Sequence, residues 1–477
     1  MSANYLHGVE TVRVERGSRP VKTVKSAVIA IVGTALSGPV NRLTLCLNEK
    51  DDAQFGDAAS GFTLASSLAA LRGFGAGAVL VVNVFDAARH KTSVTDKVIT
   101  FTATSQTMPL GAENVRNVVV KNSPAGTTTY VAGTDYTVDA KAGTITRLAA
   151  GTITSTGAVK VSYDYSDVAQ VSAGDIIGAT DFAGNRSGLQ GVLDAYNLWG
   201  FDAKILISPV YGSLKSVSSQ LEVMAEKLGA VAYVDLPVGA TPSQAVSSRG
   251  PSGLFDFNTA SDRLRVCYPM VQRYDEVTNS QQLFPLSVYA AGLRAKVDLD
   301  KGFWWSSSNQ ELLGITGMER PLTARIDDAG SEVNMLNEVG ITTIFNSFGT
   351  GLRLWGNRNT AFPTVTHMRN FENVRRTQDM IDESLRFFSL QYMDMPISQA
   401  LIDDLTESVN AYGRKLQGDG AVLGFKCWYD PDRNTKEELS AGHLLLSYKF
   451  TPPPPMERLT FESEITSDYL VNLKGAA

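Results

Sequence analysis

Five short and almost wholly apolar runs constrain this chain more than any other feature: AVIAIVG (27–33), AVLVVNVF (78–85), AKILISP (203–209), AVAYVDLP (230–237) and GITTIFNSF (340–348). A strand without polar alternation has to be covered on both faces, which is the situation of parallel sheets flanked by helices. The segments between these runs have helical character: TLASSLAALRGFG (63–75), GLQGVLDAYNLWG (188–200), residues 213–228 and PLSVYAAGLRAKVD (285–298). Together they predict an α/β core. The 477 residues leave room for roughly three domains of about 150 residues each. Hydrophobic residues at 43% and charged residues at 19% exclude disordered, collagen-like and coiled-coil chains.

Residues 97–168 differ in kind. Thr fills 14 of these 72 positions, and VRNVVVK, TTTYV, DYTVD, GTITR and AVKVSYDY are separated by Gly, Asn, Asp and Pro turns. Thr and Val suit a pleated, half-buried surface, so a small all-β domain inserted into the α/β core is expected here. From about 357 the chain carries two amphipathic helices, FENVRRTQDMIDESLRFFSLQYMD and SQALIDDLTESVNAYGRKLQG, followed by strand-like LGFKCWYD and HLLLSYKF. Pro452–Pro455 then form a polyproline spacer about 12 Å long without a single N–H donor. The expected fold class is a multi-domain α+β chain: an α/β core over 26–96 and 169–356, the β insertion at 97–168 and a C-terminal domain at 357–451. Strand arms at 1–25 and 452–477 flank these domains.

Enzymatic signatures fail one by one. Gly33–Val40, GTALSGPV, follows a strand with the glycine spacing of a phosphate loop, yet Pro39 and Val40 stand where a Lys and a Ser or Thr are needed. GFGAGA (73–78) has the letters of a dinucleotide fingerprint, but the order is helix then strand, so the helix dipole points the wrong way. Both read better as glycine turns. His7, His90, His367 and His443 lack ligand spacing, no G-x-S-x-G elbow occurs, and the carboxylate pairs Asp379/Asp382 and Asp403/Asp404 read as solvated helix faces. Phe303, Trp304 and Trp305 read as core or interface anchors. No catalytic, cofactor or metal-binding residue is therefore assigned. An α/β enzyme holding an anionic ligand at the Gly33–Gly38 turn remains the alternative from another class.

The formal charge is −6, from 43 basic and 49 acidic side chains. The one compact basic group in the C-terminal part is Arg375/Arg376, with Arg386 and the pair Arg414/Lys415 more distant, which suits an acidic protein wall better than nucleic acid. The best apolar stretch is broken by Gly33, Gly38 and Pro39, so no stable membrane insertion is expected, and MSANYLHGVETVRVERG, with Glu10, Arg13, Glu15 and Arg16 and no apolar h-region, predicts no secretory signal. Cys46, Cys267 and Cys427 are few, odd in number and far apart, which fits inert core thiols in a reducing compartment.

Both ends of the chain alternate with period two: GVETVRVER at 8–16, and MERLTFESEITSDYLVNL beyond the prolines with Leu459, Phe461 and Ile465 apolar. Tails of this kind are natural if each completes a sheet on a neighbouring copy, an open head-to-tail linkage that builds helical tubes.

At the level of whole segments, GVETVRVERGSRPVKTVKSAVIAIVGTALSGPVN, WWSSSNQELLGITGMERPL, LNEVGITTIFNSFGTGLRLWGNRN and FKCWYDPDRNTKEELSAGHLLLSYKFTPPPPMERLTFE resemble the tail sheath protein of contractile-tailed bacteriophages, of the temperate-phage type. The resemblance spans nearly the whole chain except 97–168, which is similar to the variable outward domain such proteins carry. It implies hexameric rings stacked around a tail tube, joined by N- and C-terminal arms and contracting on a baseplate signal to drive the tube through the host envelope for genome delivery. Implied partners are further copies of the chain, the tube protein, and the baseplate and tail terminator proteins, in the virion tail and, during assembly, the host cytoplasm. On that reading Val9, Val12, Val14, Leu459, Phe461 and Ile465 anchor the arms, and Arg375, Arg376, Arg414 and Lys415 face the tube. The sheath of a phage-derived contractile bacteriocin or injection system is the nearest alternative.

Overall fold

The structure, a computed structural model, describes residues 21–275, 279–346 and 348–470. The apolar runs become the centre of a nine-stranded sheet, with β1 (Ile29–Gly33), β2 (Thr44–Cys46), β3 (Val79–Asn83), β4 (Ile205–Ile207), β5 (Val231–Asp235), β6 (Leu264–Cys267), β7 (Gln310–Glu311), β8 (Ile341–Phe345) and β9 (Arg353–Trp355). Their spatial order is β7-β9-β8-β6-β5-β4-β1-β3-β2. The run from β8 to β3 is parallel throughout, and β2, β9 and β7 add antiparallel edges.

Alternate residues of each parallel strand feed two separate cores, as the period of a strand requires. Ile29, Ile31, Val79, Val81, Ile205 and Ile207 face the helices α1 (Leu64–Gly73) and α3 (Leu286–Asp300). Ala30, Val32, Leu80, Val82 and Leu206 face α2 (Lys215–Leu228) and the 188–199 segment. The two helices on the first face approach so closely that a Cβ at Gly292 would lie 2.6 Å from the ring of Phe74. The expected single helix from 188 is instead a 3₁₀ run, Gly188–Asp194, leading into a short α-helix, Ala195–Trp199.

Between β3 and the 188–199 segment the chain forms two three-stranded antiparallel sheets around a cluster of their own, including Ile99, Val120, Ile145, Val159 and Val161. The first strand of this region, Lys91–Thr100, begins before residue 97 because its opening residues pair with the end of the last strand, Lys91 opposite Ser166. TTTYV forms no strand; only an isolated bridge joins Thr129 to Lys121.

The C-terminal part consists of α4 (Glu372–Ser389), α5 (Gln399–Gly418) and a hairpin of strands Gly424–Tyr429 and Leu446–Thr451. They share a cluster that includes Met380, Ile381, Val409, Leu416 and Cys427, together with Val21 and Phe303. From Pro452 to Thr466 no strand forms. The expected C-terminal strand is therefore absent from the single chain, and an extended segment without a partner strand has nothing to bond its backbone.

Candidate assembly surfaces

Helix α4 joins the C-terminal part to the sheet through buried charge as well as apolar contact. Glu372, Arg376 and Asp379 are each under 5% exposed. Glu372 takes Arg265 of β6 and the hydroxyl of Tyr233 of β5; Arg376 takes Asp298 of α3, which also holds Arg294 at 2.6 Å. Asp379 accepts from Arg263 at 2.5 Å, and Glu383 pairs with the buried Lys204. Burial alone would depress the Arg265 guanidinium and raise the Glu372 carboxyl, but each is outweighed by opposite charge: Arg265 lies above its ordinary value, and Glu372, among Arg265, Arg294 and Arg376, lies below. Both sides stay charged, so the joint is ionic and directional.

This network corrects two sequence expectations. Arg376 does not face a partner: it is 2% exposed, with its guanidinium donating to Asp298 and to the carbonyls of Lys204 and Ser26. Arg375 is also turned inward, to Asp379 at 2.9 Å and Asp262 at 3.7 Å. Asp379 is buried rather than solvated, and Asp382, bonded by the Tyr448 hydroxyl, is raised by burial. Arg414 and Lys415 on α5 do stand in solvent, their side chains 59% and 60% exposed, paired with Glu407 and Asp419. Asp403 and Asp404 bond Gln399 and Tyr392 on the same module.

The root of the C-terminal tail is held. Pro452 is buried, and Asn373 donates to the carbonyl of Pro453 at 3.4 Å. Arg358, stacked 3.7 Å over Phe371 and 4.5 Å over Phe362, grips the Glu457 carboxylate with Nε at 3.1 Å from both oxygens. Past this clasp every described residue is exposed, with Leu459 at 60%, Phe461 at 84% and Ile465 at 103%. The hairpin next to it is a two-stranded sheet, so among the described residues both of its outer edges lack a partner strand. Val9, Val12 and Val14 lie outside the described residues.

The glycine turn after β1 has its own internal occupants. The N–H of Thr34 donates to the Thr63 hydroxyl at 3.1 Å and that of Ala35 to Asn83 Oδ1 at 2.9 Å, while Asn83 Nδ2 returns bonds to the carbonyls of Ala35 and Ser37. Two amides that an anion would require are thus already engaged. Phe303 is buried, stacked edge to face with Trp304, whereas Trp305 is 49% exposed.

Comparison with known proteins follows the same division of the chain. Residues 169–360 match a family described as the phage tail sheath protein central domain, and residues 364–466 match the phage tail sheath C-terminal domain. Residues 86–175 match a family described only as a protein of unknown function. The tail sheath protein of Burkholderia phage BcepMu is 59% identical over 476 residues, covering 100% of both chains. The tail sheath protein of Escherichia phage P2 is 32% identical over 299 residues, covering 63% of this chain and 72% of that one. Among solved structures, the contracted helical sheath of the anti-feeding prophage aligns with a TM-score of 0.59 at 15% identity, covering 98% of this chain and 100% of that one. The contracted PVC sheath of an extracellular contractile injection system gives 0.60 at 14%, covering 99% and 100%. These two likenesses are of fold.

Proposed function

The chain belongs to the phage tail sheath family and is a structural subunit of a contractile tail sheath, and from that premise we propose that it assembles by lending its two ends to neighbouring copies. Hexameric rings of the subunit stack helically around the tail tube. Of the expected arms 1–25 and 452–477, the parts before Val21 and beyond Glu457 add strands to the open edges of a neighbour's Gly424–Tyr429/Leu446–Thr451 hairpin, while Val21, Thr23, Val24 and Pro452 to Glu457 stay on their own chain. The C-terminal part, 357–451, lies innermost, with Arg414 and Lys415 toward the tube in place of the buried Arg376. Residues 97–168, with the preceding strand residues, face outward. Contraction on a baseplate signal drives the tube through the host envelope for genome delivery, with a terminator protein at the other end of the stack.

The observation that carries this reading is the tail itself: three large apolar side chains, Leu459, Phe461 and Ile465, on one alternating face of a segment whose described residues are all exposed after Glu457. Burying each on a partner contributes about 1.5–3 kcal/mol, and a hairpin of two strands gains stability from a third. Such links are hydrogen-bonded yet hinged, so subunits can shift far without separating. The free energy for contraction comes from assembly into a metastable state and needs no nucleotide.

Electron microscopy of purified chain tests this. Intact protein forms tubes, whereas chains lacking 1–17 or 456–477 remain soluble and unpolymerised. Tubes of equal length from either truncated chain would disprove the lending of the ends.

A further inference from the structure

Between the buried Pro452 and the exposed Leu459, residues Pro453–Glu457 form a strap fastened unlike the rest of the body. Pro453, Pro454 and Pro455 have no N–H, so lifting them off the body breaks no strand ladder. Among the described residues the strap has two polar attachments. The Pro453 carbonyl accepts from Asn373 Nδ2 at 3.4 Å, a long bond, and the Glu457 carboxylate accepts from Arg358. Beneath it lies a cavity of about 880 Å³ with Trp304, Trp305 and Trp355 in its wall, so the strap spans a void instead of closing a packed core. Asn373, 4% exposed, leaves its Oδ1 without a donor there. A seat with missing contacts and an unpaired buried acceptor holds weakly.

The clasp at the end of the strap has one fixed side and one free side. Arg358 is fixed, because its guanidinium lies over the rings of Phe371 and Phe362 and also donates to Asn370 Oδ1. Glu457 stands on an exposed residue, its side chain is 34% accessible, and Arg358 is its one ion-pair partner among the described residues. A pair that water reaches on one side is screened by salt and opens at modest cost, unlike the buried joint at Glu372. Polyproline keeps its extended form without any outside bond, so the released strap swings from Pro452 as a stiff rod. At about 3.1 Å per residue, its length carries the start of the arm about 15 Å off the body.

We propose that Arg358–Glu457 is a releasable clasp, closed in the extended sheath and opened during contraction as the moving neighbour draws on the arm. The point where the C-terminal arm begins then shifts from Glu457 back to Pro452. The proposal rests on the lending of the ends described above and adds a reserve of reach stored in each subunit. The strap pairs with no neighbour in either position. It lets copies move apart without the arm's strand pairing having to slip or break.

Extended tails are assembled with an Arg358→Cys/Glu457→Cys subunit and bridged by a bis-maleimide whose spacer holds a reducible disulfide; native Cys46, Cys267 and Cys427 are buried and give little background. Sheath length is then followed by electron microscopy as urea is raised. Bridged tails are expected to stay extended at urea concentrations that contract unbridged ones, and reductant to restore contraction. If that chain assembles no tails, Asn334→Cys with Met456→Cys, both lining the same cavity and leaving the ion pair in place, replaces it. In the opposite direction, Glu457→Lys sets like charges together and is expected to lower the urea concentration at which contraction occurs, and to remove its dependence on salt. Bridged tails that contract like unbridged ones, the bridge being verified by mass spectrometry, overturn the clasp and leave the lending of the ends intact. A Glu457→Lys threshold equal to that of the unaltered chain does the same. If intact protein forms no tubes, both readings fall.

Discussion

Arg265 stands in the middle of the nine-stranded sheet, fully buried, with Nε on the Thr342 hydroxyl at 2.6 Å and its charge on Glu372. Removing one partner of such a pair leaves the other buried and uncompensated, which costs about 3–5 kcal/mol. Glu372→Gln should therefore shift the urea midpoint of the unassembled chain strongly downward, whereas exchanging Arg265 and Glu372 together for apolar residues of similar volume should cost less than either single change. Asp235 is a different case. It is 3% exposed, and burial, opposed by hydrogen bonds from the Ser287 hydroxyl and amide, pushes its carboxyl up to about 7 from an ordinary 3.8. The folded state thus holds a proton that the unfolded chain has released, so the contribution is fully present below about 3.8 and is lost as pH rises through about 7. Asp235→Asn should flatten the fall in melting temperature between about pH 4 and 7; an unchanged slope would contradict the assignment. The same buried charges explain why β6 escapes sequence reading. Leu264–Cys267 contains Arg265 and follows Arg263, and a run flanked and interrupted by arginine does not look like a central strand until Glu372 and Asp379, more than a hundred residues later, are folded against it. Arg376 misleads in the same way, since Asp298 is equally invisible from its own helix.

At the level of elements, the hydrophobic period identified β1, β3, β4, β5, β8 and the helices α1 to α5, because each buries a continuous apolar face. Pattern alone does not create a strand, however. The Leu459–Ile465 segment alternates as a strand should and forms none, since among the described residues no strand of its own chain pairs with it. The hairpin that supplies the proposed partner packs closely on α5: Asn410 bonds the backbone of Cys427, and a Cβ on Gly413 would lie 2.2 Å from the ring of Phe425. Phe425 is stacked on Tyr448 at 5.8 Å and on Phe450 at 6.5 Å, so making room would disturb that aromatic row. Gly413→Val should destabilise the C-terminal part by roughly 1–3 kcal/mol through overpacking. Hydrogen exchange should show the loss at Gly424–Tyr429 while the amides of β1 and β3 keep their protection; uniform loss across both would mean that the contact does not act locally.

The whole molecule combines a cross-wired body with a C-terminal tail that is exposed past Glu457. Arg263, Arg265 and Lys204 on the sheet side meet Asp379, Glu372 and Glu383 on α4, and Arg376 returns the favour to Asp298, so the sheet and the C-terminal part are cross-wired in both directions. Sliding between them would separate several buried charges at once, and two-state packing rather than gradual deformation is the consequence. On the proposed assembly, motion during contraction falls to the links between copies, beyond Glu457 on one side while its clasp holds. The β region between β3 and the 188–199 segment has no part in that joint. It leaves and returns at Lys91 and Ser166, which pair as neighbours across an antiparallel ladder and are therefore about 5 Å apart. Its charged contact with the remainder, Lys141 to Asp57 at 3.1 Å, is fully solvated and contributes little. Excising residues 91–166 and bridging the gap with a short Gly-Ser linker should consequently leave the cooperative unfolding of the body in place and still yield tubes, thinner in cross-section by electron microscopy. Loss of tubes from a chain that remains folded would show instead that this region takes part in holding neighbouring copies together, and that the body and its ends are not sufficient for assembly.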